Sequence, residues 1–129
     1  EEHLPPVLKA KAGEFVNAIA DPALRPAVIA QMKAMDPAKV PQSKLVGSYL
    51  QLGAVDEAYR IMSQTLDENR LAWMQEWGLA MAWSEEGAAM RRDPRFGQLA
   101  ERVGLLDYWK QYGFPDGCRA GKDTPIVCQ

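Results

Sequence analysis

Several things are scarce in this 129-residue chain, and each scarcity removes a class of function. It has one histidine, His3, and two cysteines, Cys118 and Cys128. Those three cannot fill the four-ligand shell of a structural zinc, and no other cluster of metal ligands stands out, so no metal is expected. There is no glycine-rich phosphate loop, no nucleophile elbow and no Ser/His/Asp or Cys/His arrangement. The chain therefore reads as a non-enzyme without a cofactor. Its longest apolar runs are short, so no segment inserts in a bilayer. Charge of one sign is not in excess: the net charge of −2 gives no reason to expect nucleic acid as a partner. Strand-type alternation is missing too. A signal peptide is not visible and the chain begins at Glu1 without methionine, so it reads as an excised or processed part of something longer.

What is present is helical periodicity along nearly the whole length. Apolar residues make up 47% and charged residues 25%, an ordinary composition for one globular domain. Pro5 and Pro6 can open a first helix with the stripe Leu8, Ala12, Phe15, Val16 and Ile19. Asp21–Pro22 reads as a cap followed by a first-turn proline. It starts a second helix through Leu24, Val28, Ile29, Met32 and Met35, whose regular part Pro26 can delay. Prolines at 37 and 41 mark a linker over 36–41. A third helix over about 42–52 ends at Gly53, a left-handed cap, and a fourth over about 55–68 buries Val55, Ala58, Tyr59, Met62 and Leu66. A fifth, about 70–81, carries Leu71, Trp73, Met74, Trp77, Leu79 and Met81. Ser84 can cap a short sixth, with Glu85 and Glu86 in its first turn. Asp93–Pro94 opens a helix to Val103, and a last one runs from Leu105 or Leu106 to Tyr112. Short helices and short turns predict an all-α fold of about seven or eight helices in stacked antiparallel hairpins, without a sheet.

Residues 45–62 read Leu-Val-x-x-Tyr-x-x-x-Gly-x-x-x-x-Ala-x-x-x-Met. Leu45 and Tyr49 lie one turn apart, Gly53 permits the reversal, and Ala58 allows close helix approach. This spacing resembles the tetratricopeptide repeat. It departs from that pattern in Val46 for a small residue, Thr65 for alanine, and Arg70 for the closing proline. The resemblance implies one domain over 1–129. Within it lie a degenerate hairpin (1–36), a tetratricopeptide-like hairpin (42–69), capping helices (70–113) and an irregular cysteine-bearing tail (114–129). It also implies a partner-binding groove at Ser43, Lys44, Gly47 and Gln51, with Leu50 partly exposed, suited to an extended peptide or a helix.

The stretch Arg91-Arg92-Asp93-Pro94-Arg95-Phe96, then Gly104-Leu105-Leu106-Asp107-Tyr108-Trp109 and Phe114-Pro115-Asp116-Gly117-Cys118, resembles a bacterial ending of the form R-x-D-P-R-F, L-G-L-x-D-Y-W, W-P-D-F-C. Such endings close tetratricopeptide-like C-terminal domains of proteobacterial membrane-associated regulators, including winged-helix transcription factors and cyclases. Family membership of that kind implies a non-catalytic interaction or scaffold module of a signalling protein. It would bind a protein or peptide, or form a homodimer, on the periplasmic side of a membrane.

Alternatives stand beside several of these assignments. Trp73, Trp77 and Trp83 could line the pocket of a small-molecule sensor, although aromatics at helical spacing are more often core. Arg91, Arg92 and Arg95 could hold an anion, or make surface pairs and cap the preceding helix. Cys118 and Cys128 could form a structural disulfide in an exported chain, or remain thiols in a cytoplasmic one.

Overall fold

A computed structural model describes residues 12–68 and 80–129. The chain divides into two compact units, Glu1–Ile61 and Met62–Gln129. Among the described residues there are seven α-helices: α1 (Ala12–Ala20), α2 (Arg25–Lys33), α3 (Gln42–Gln51), α4 (Val55–Asp67), α5 (Ala88–Arg92), α6 (Arg95–Arg102) and α7 (Leu105–Tyr112). Short 3-10 turns stand at Pro22–Leu24, Pro37–Lys39 and Ala80–Trp83. The chain is mostly helical, as its periodicity predicts. Most of the expected fifth helix, with Trp73 and Trp77, lies outside the described residues. Its last positions, Ala80 and Met81, begin the 3-10 turn instead.

One sequence device is used three times with the same result. At Asp21–Pro22, Asp36–Pro37 and Asp93–Pro94 the proline has no N–H, so the first free donor lies two residues beyond the aspartate. Ala23, Ala38 and Arg95 donate their backbone N–H to Asp21, Asp36 and Asp93 at 3.0, 3.0 and 2.9 Å. The first two turns are 3-10, and the regular part of α2 starts at Arg25, with Pro26 in its first turn.

In the N-terminal unit α3 ends in a complete Schellman motif. Ala54 N–H donates to Tyr49 C=O at 2.8 Å and Gly53 N–H to Leu50 C=O at 3.0 Å. Gly53 sits at φ 70°, and the guanidinium of Arg25 stands beside it. That guanidinium also donates to the carbonyls of Ala18 and Ile19, both at 2.9 Å. Arg25 thereby satisfies orphan carbonyls at the end of α1 with a cation, as the helix dipole favours. Gly53→Ala is expected to cost about 1 kcal/mol, because alanine must adopt a left-handed conformation; a urea titration would read this.

The repeat-spaced residues Leu45, Tyr49, Ala58 and Met62 are all buried, and so are Val46 and Thr65, which replace small residues of the pattern. Four expectations about apolar side chains need correction. Val16 and Ile19 of α1 are exposed, at 60% and 37%, and Ala18 is the buried residue of that helix. Leu24 is exposed as well, and Val55 is only half-buried. Leu50 is 4% exposed and belongs to the core, so it offers nothing to a partner.

The C-terminal unit buries Met90 of α5, Phe96, Leu99 and Ala100 of α6, and Leu106 and Trp109 of α7. The expected sixth helix begins later than its capping residues suggested. Ser84 Oγ accepts from Gly87 N–H at 3.1 Å and donates to Met81 C=O at 2.6 Å, so it closes a turn, and α5 starts at Ala88. Glu85 and Glu86 stand in that turn rather than in a first helical turn. The expectation of no sheet is also overturned. Strands β1 (Cys118–Arg119) and β2 (Val127–Cys128) pair antiparallel, with Cys118 opposite Cys128 and Arg119 opposite Val127. Two-residue strands are too short to show alternation in sequence.

Candidate functional site

Charged side chains of the N-terminal unit converge where α2, α3 and α4 meet. Glu57 on α4 accepts from Arg60 one turn on, at 2.8 Å, and pairs with Lys33 of α2 at 3.3 Å. Tyr49 of α3 is buried, and its hydroxyl accepts a hydrogen bond from Arg60. Burial, with the nearby Glu57 carboxylate, raises the Tyr49 phenol above its ordinary value. The hydrogen bond from Arg60, then Lys33, holds Glu57 below the usual carboxylate range. This network links three helices by short polar contacts.

Of the expected groove residues, Lys44 and Gln51 are exposed and Ser43 and Gly47 half-buried on α3, whereas Leu50 is turned into the core. The accessible side of α3 is thus small and polar.

In the C-terminal unit Arg91 and Arg95 are engaged locally. Arg91 donates to the carbonyl of Ala82 and, at 3.3 Å, to that of Ser84, tying α5 to the 3-10 turn before it. Arg95 grips Asp93 through two side-chain hydrogen bonds, Nε to Oδ1 at 2.9 Å and Nη2 to Oδ2 at 2.7 Å. That grip, with the backbone N–H of Arg95, holds the Asp93 carboxyl below its ordinary value. Arg91 therefore caps the turn before α5, Arg95 forms an ion pair with Asp93, and Arg92 is exposed beside them.

Both depressed carboxylates carry the same sign. The unfolded chain takes up their protons at a higher pH than the folded chain does, so their stabilisation is complete above about pH 4. It disappears as the pH falls through their lower folded values. Glu57→Gln and Asp93→Asn are expected to lower the urea midpoint at pH 7 and to converge with wild type in acid. Tyr49 works in the opposite sense: its contribution is complete below about pH 10 and lost as the pH rises through its raised folded value. Urea midpoints across the pH range check both limbs.

Trp83 lies in an aromatic cluster, with its ring centroid 5.8 Å from Phe96 and 5.9 Å from Trp109 in edge-on geometry. Phe96 and Trp109 are buried, and Trp83 is 41% exposed. The other two residues of the sensor alternative, Trp73 and Trp77, lie outside the described residues.

A surface that sequence reasoning passed over is on α7. Tyr108 and Tyr112, one turn apart, have ring centroids 4.8 Å apart and are 57% and 68% exposed. Their i, i+4 spacing is visible in the sequence, but spacing alone does not say which face of the helix is covered. Among the described residues all three exposed aromatic side chains, Trp83, Tyr108 and Tyr112, belong to the C-terminal unit.

Cys118 and Cys128 are joined in a disulfide that closes the tail. Ile126 and Cys128 within it are buried. Among the described residues no group of three or more His, Cys, Asp or Glu side chains could hold a metal ion, and no helix is long and apolar enough to cross a membrane. No protein-family model, curated protein or solved structure matches the chain.

Proposed function

We propose that this chain is a non-catalytic protein-interaction or scaffold module, the tetratricopeptide-like C-terminal part of a larger bacterial regulatory protein. The observation that carries it is the exposed, closely spaced pair Tyr108–Tyr112 on a helix whose other face is fixed by buried Leu106 and Trp109. Tyrosine on a rigid helix offers large contact area at little conformational cost, and its hydroxyl hydrogen-bonds to a partner's backbone. The polar outer side of α3, with Ser43, Lys44, Gly47 and Gln51, is a second surface of the same module. The partner is a protein segment. The Cys118–Cys128 disulfide favours an oxidising compartment, and with the resemblance of the ending it supports a periplasmic location.

The test compares the wild-type chain with a Tyr108→Ala/Tyr112→Ala variant in cells, using chemical cross-linking to capture complexes. Both residues are solvent-facing, so the variant keeps its circular dichroism and its melting temperature. Loss of a defined cross-linked complex from that folded variant supports the proposal. An unchanged set of complexes contradicts it.

A further inference from the structure

The chain has four tyrosines, and the fold sorts them into two that an oxidant can reach and two that it cannot. Tyr49 and Tyr59 are buried, whereas Tyr108 and Tyr112 are exposed and stand one turn apart on α7. Residues at that spacing hold their Cβ atoms about 5–6 Å apart. With 4.8 Å between centroids the two rings are already in contact, and turning either one displaces only water. The Tyr112 hydroxyl accepts from Gln111 Nε2 at 3.3 Å, which leaves its own proton free to pass to water. Both accessible phenols are thus next to each other, on a helix that buried Leu106 and Trp109 hold in place.

We propose that Tyr108 and Tyr112 form an oxidative modification site, at which a peroxidase consuming hydrogen peroxide joins the two rings into one dityrosine. Each phenol gives one electron to the oxidant and its hydroxyl proton to water. The two phenoxyl radicals join at the carbons ortho to oxygen. Each joined carbon then gives up its hydrogen as a proton and each oxygen regains one, so both rings are aromatic again. One carbon–carbon bond forms, two carbon–hydrogen bonds break, and hydrogen peroxide takes two electrons and two protons to become two waters. A radical held one turn away stands at an effective concentration far above that of any other chain, so coupling within the chain outruns coupling between chains. The bridge spans two turns of α7 and fixes both rings on the face that the interaction reading gives to a partner. Its formation does not depend on that reading.

The test treats the purified, disulfide-bonded chain at low micromolar concentration with a peroxidase and hydrogen peroxide. The expected product is a monomer lighter by two hydrogen atoms, with the blue emission of dityrosine. Trypsin cleaves after Arg102, Lys110 and Arg119, so after reduction residues 103–110 and 111–119 should travel as one linked pair. Tyr108→Phe and Tyr112→Phe each keep the ring and remove one phenol, and each should lower the monomer's emission by about tenfold. A Lys110→Tyr/Tyr112→Phe variant keeps the number of tyrosines but sets the second exposed one two residues from Tyr108, where helix side chains do not face each other. Its monomer emission should fall as far. Equal emission from that variant, coupling mainly between chains, or oxygen added at exposed Trp83 in place of the link overturns the site. The assay contains no partner, so such a failure leaves the cross-linking test of the interaction module untouched.

Discussion

Gly87→Ala is expected to destabilise the protein by about 3 kcal/mol or more, lowering the melting temperature by roughly 10 °C. A Cβ at Gly87 would overlap the carbonyl oxygen of Met81 and lie 2.8 Å from Cα of Ala82. Every one of these neighbours is backbone, so no side-chain rotation relieves the clash. The Ser84 turn and the Arg91 hydrogen bonds hold the same segment from the other side, so a shift there would break several contacts together. Gly13 provides the control. It lies inside α1 with nothing within 4 Å of a built Cβ, and alanine there should stabilise by up to about 1 kcal/mol. Opposite signs for the two substitutions, read by thermal melts, would establish that close approach and not glycine content is what matters at position 87.

The second large effect is expected at Phe96. Its ring is 1% exposed and touches both Trp83 and Trp109, with the Trp109 centroid at 6.3 Å. Phe96→Ala removes a large buried side chain from the hub of that cluster, and such truncations cost about 3–5 kcal/mol. Trp83 would also lose its edge-on contact with the phenylalanine, and Trp109 its tilted one. Denaturant titration should show the loss in stability, and near-UV circular dichroism should show a weaker tryptophan band in the still-folded variant. Phe96→Leu, which keeps most of the volume and no ring, should recover much of the stability but not the band.

What could be read in the chain beforehand follows the range of the forces involved. Asp-Pro turns, the Gly53 cap and the helix limits of α3, α4, α6 and α7 depend on residues within a few positions of one another. Those features are legible in the order of residues. The exposure of Val16 and Ile19 and the burial of Leu50 depend on which neighbour covers a helix face, and periodicity identifies an apolar face without saying what lies on it. Gly87 and Gly97 look like any other glycine in a helical stretch; their significance comes from Met81 and Pro125, brought close by the fold. The β1–β2 ladder is held in register by a covalent bond between two cysteines ten residues apart and not by a pattern of side chains. Of the site, the polar positions on α3 were legible as a face, whereas the tyrosine pair required knowing that Leu106 and Trp109 turn the other side of α7 inward.

In the proposed function the Tyr108–Tyr112 face of α7 contacts another protein. The most direct measurement places a photo-cross-linking amino acid at position 112 in the living cell, with position 86 in the exposed Glu85–Glu86 turn as the reference. A single defined adduct from position 112, absent from position 86 and lost with Tyr108→Ala, is the predicted result. Adducts that are the same from both positions, or none from position 112, would contradict it.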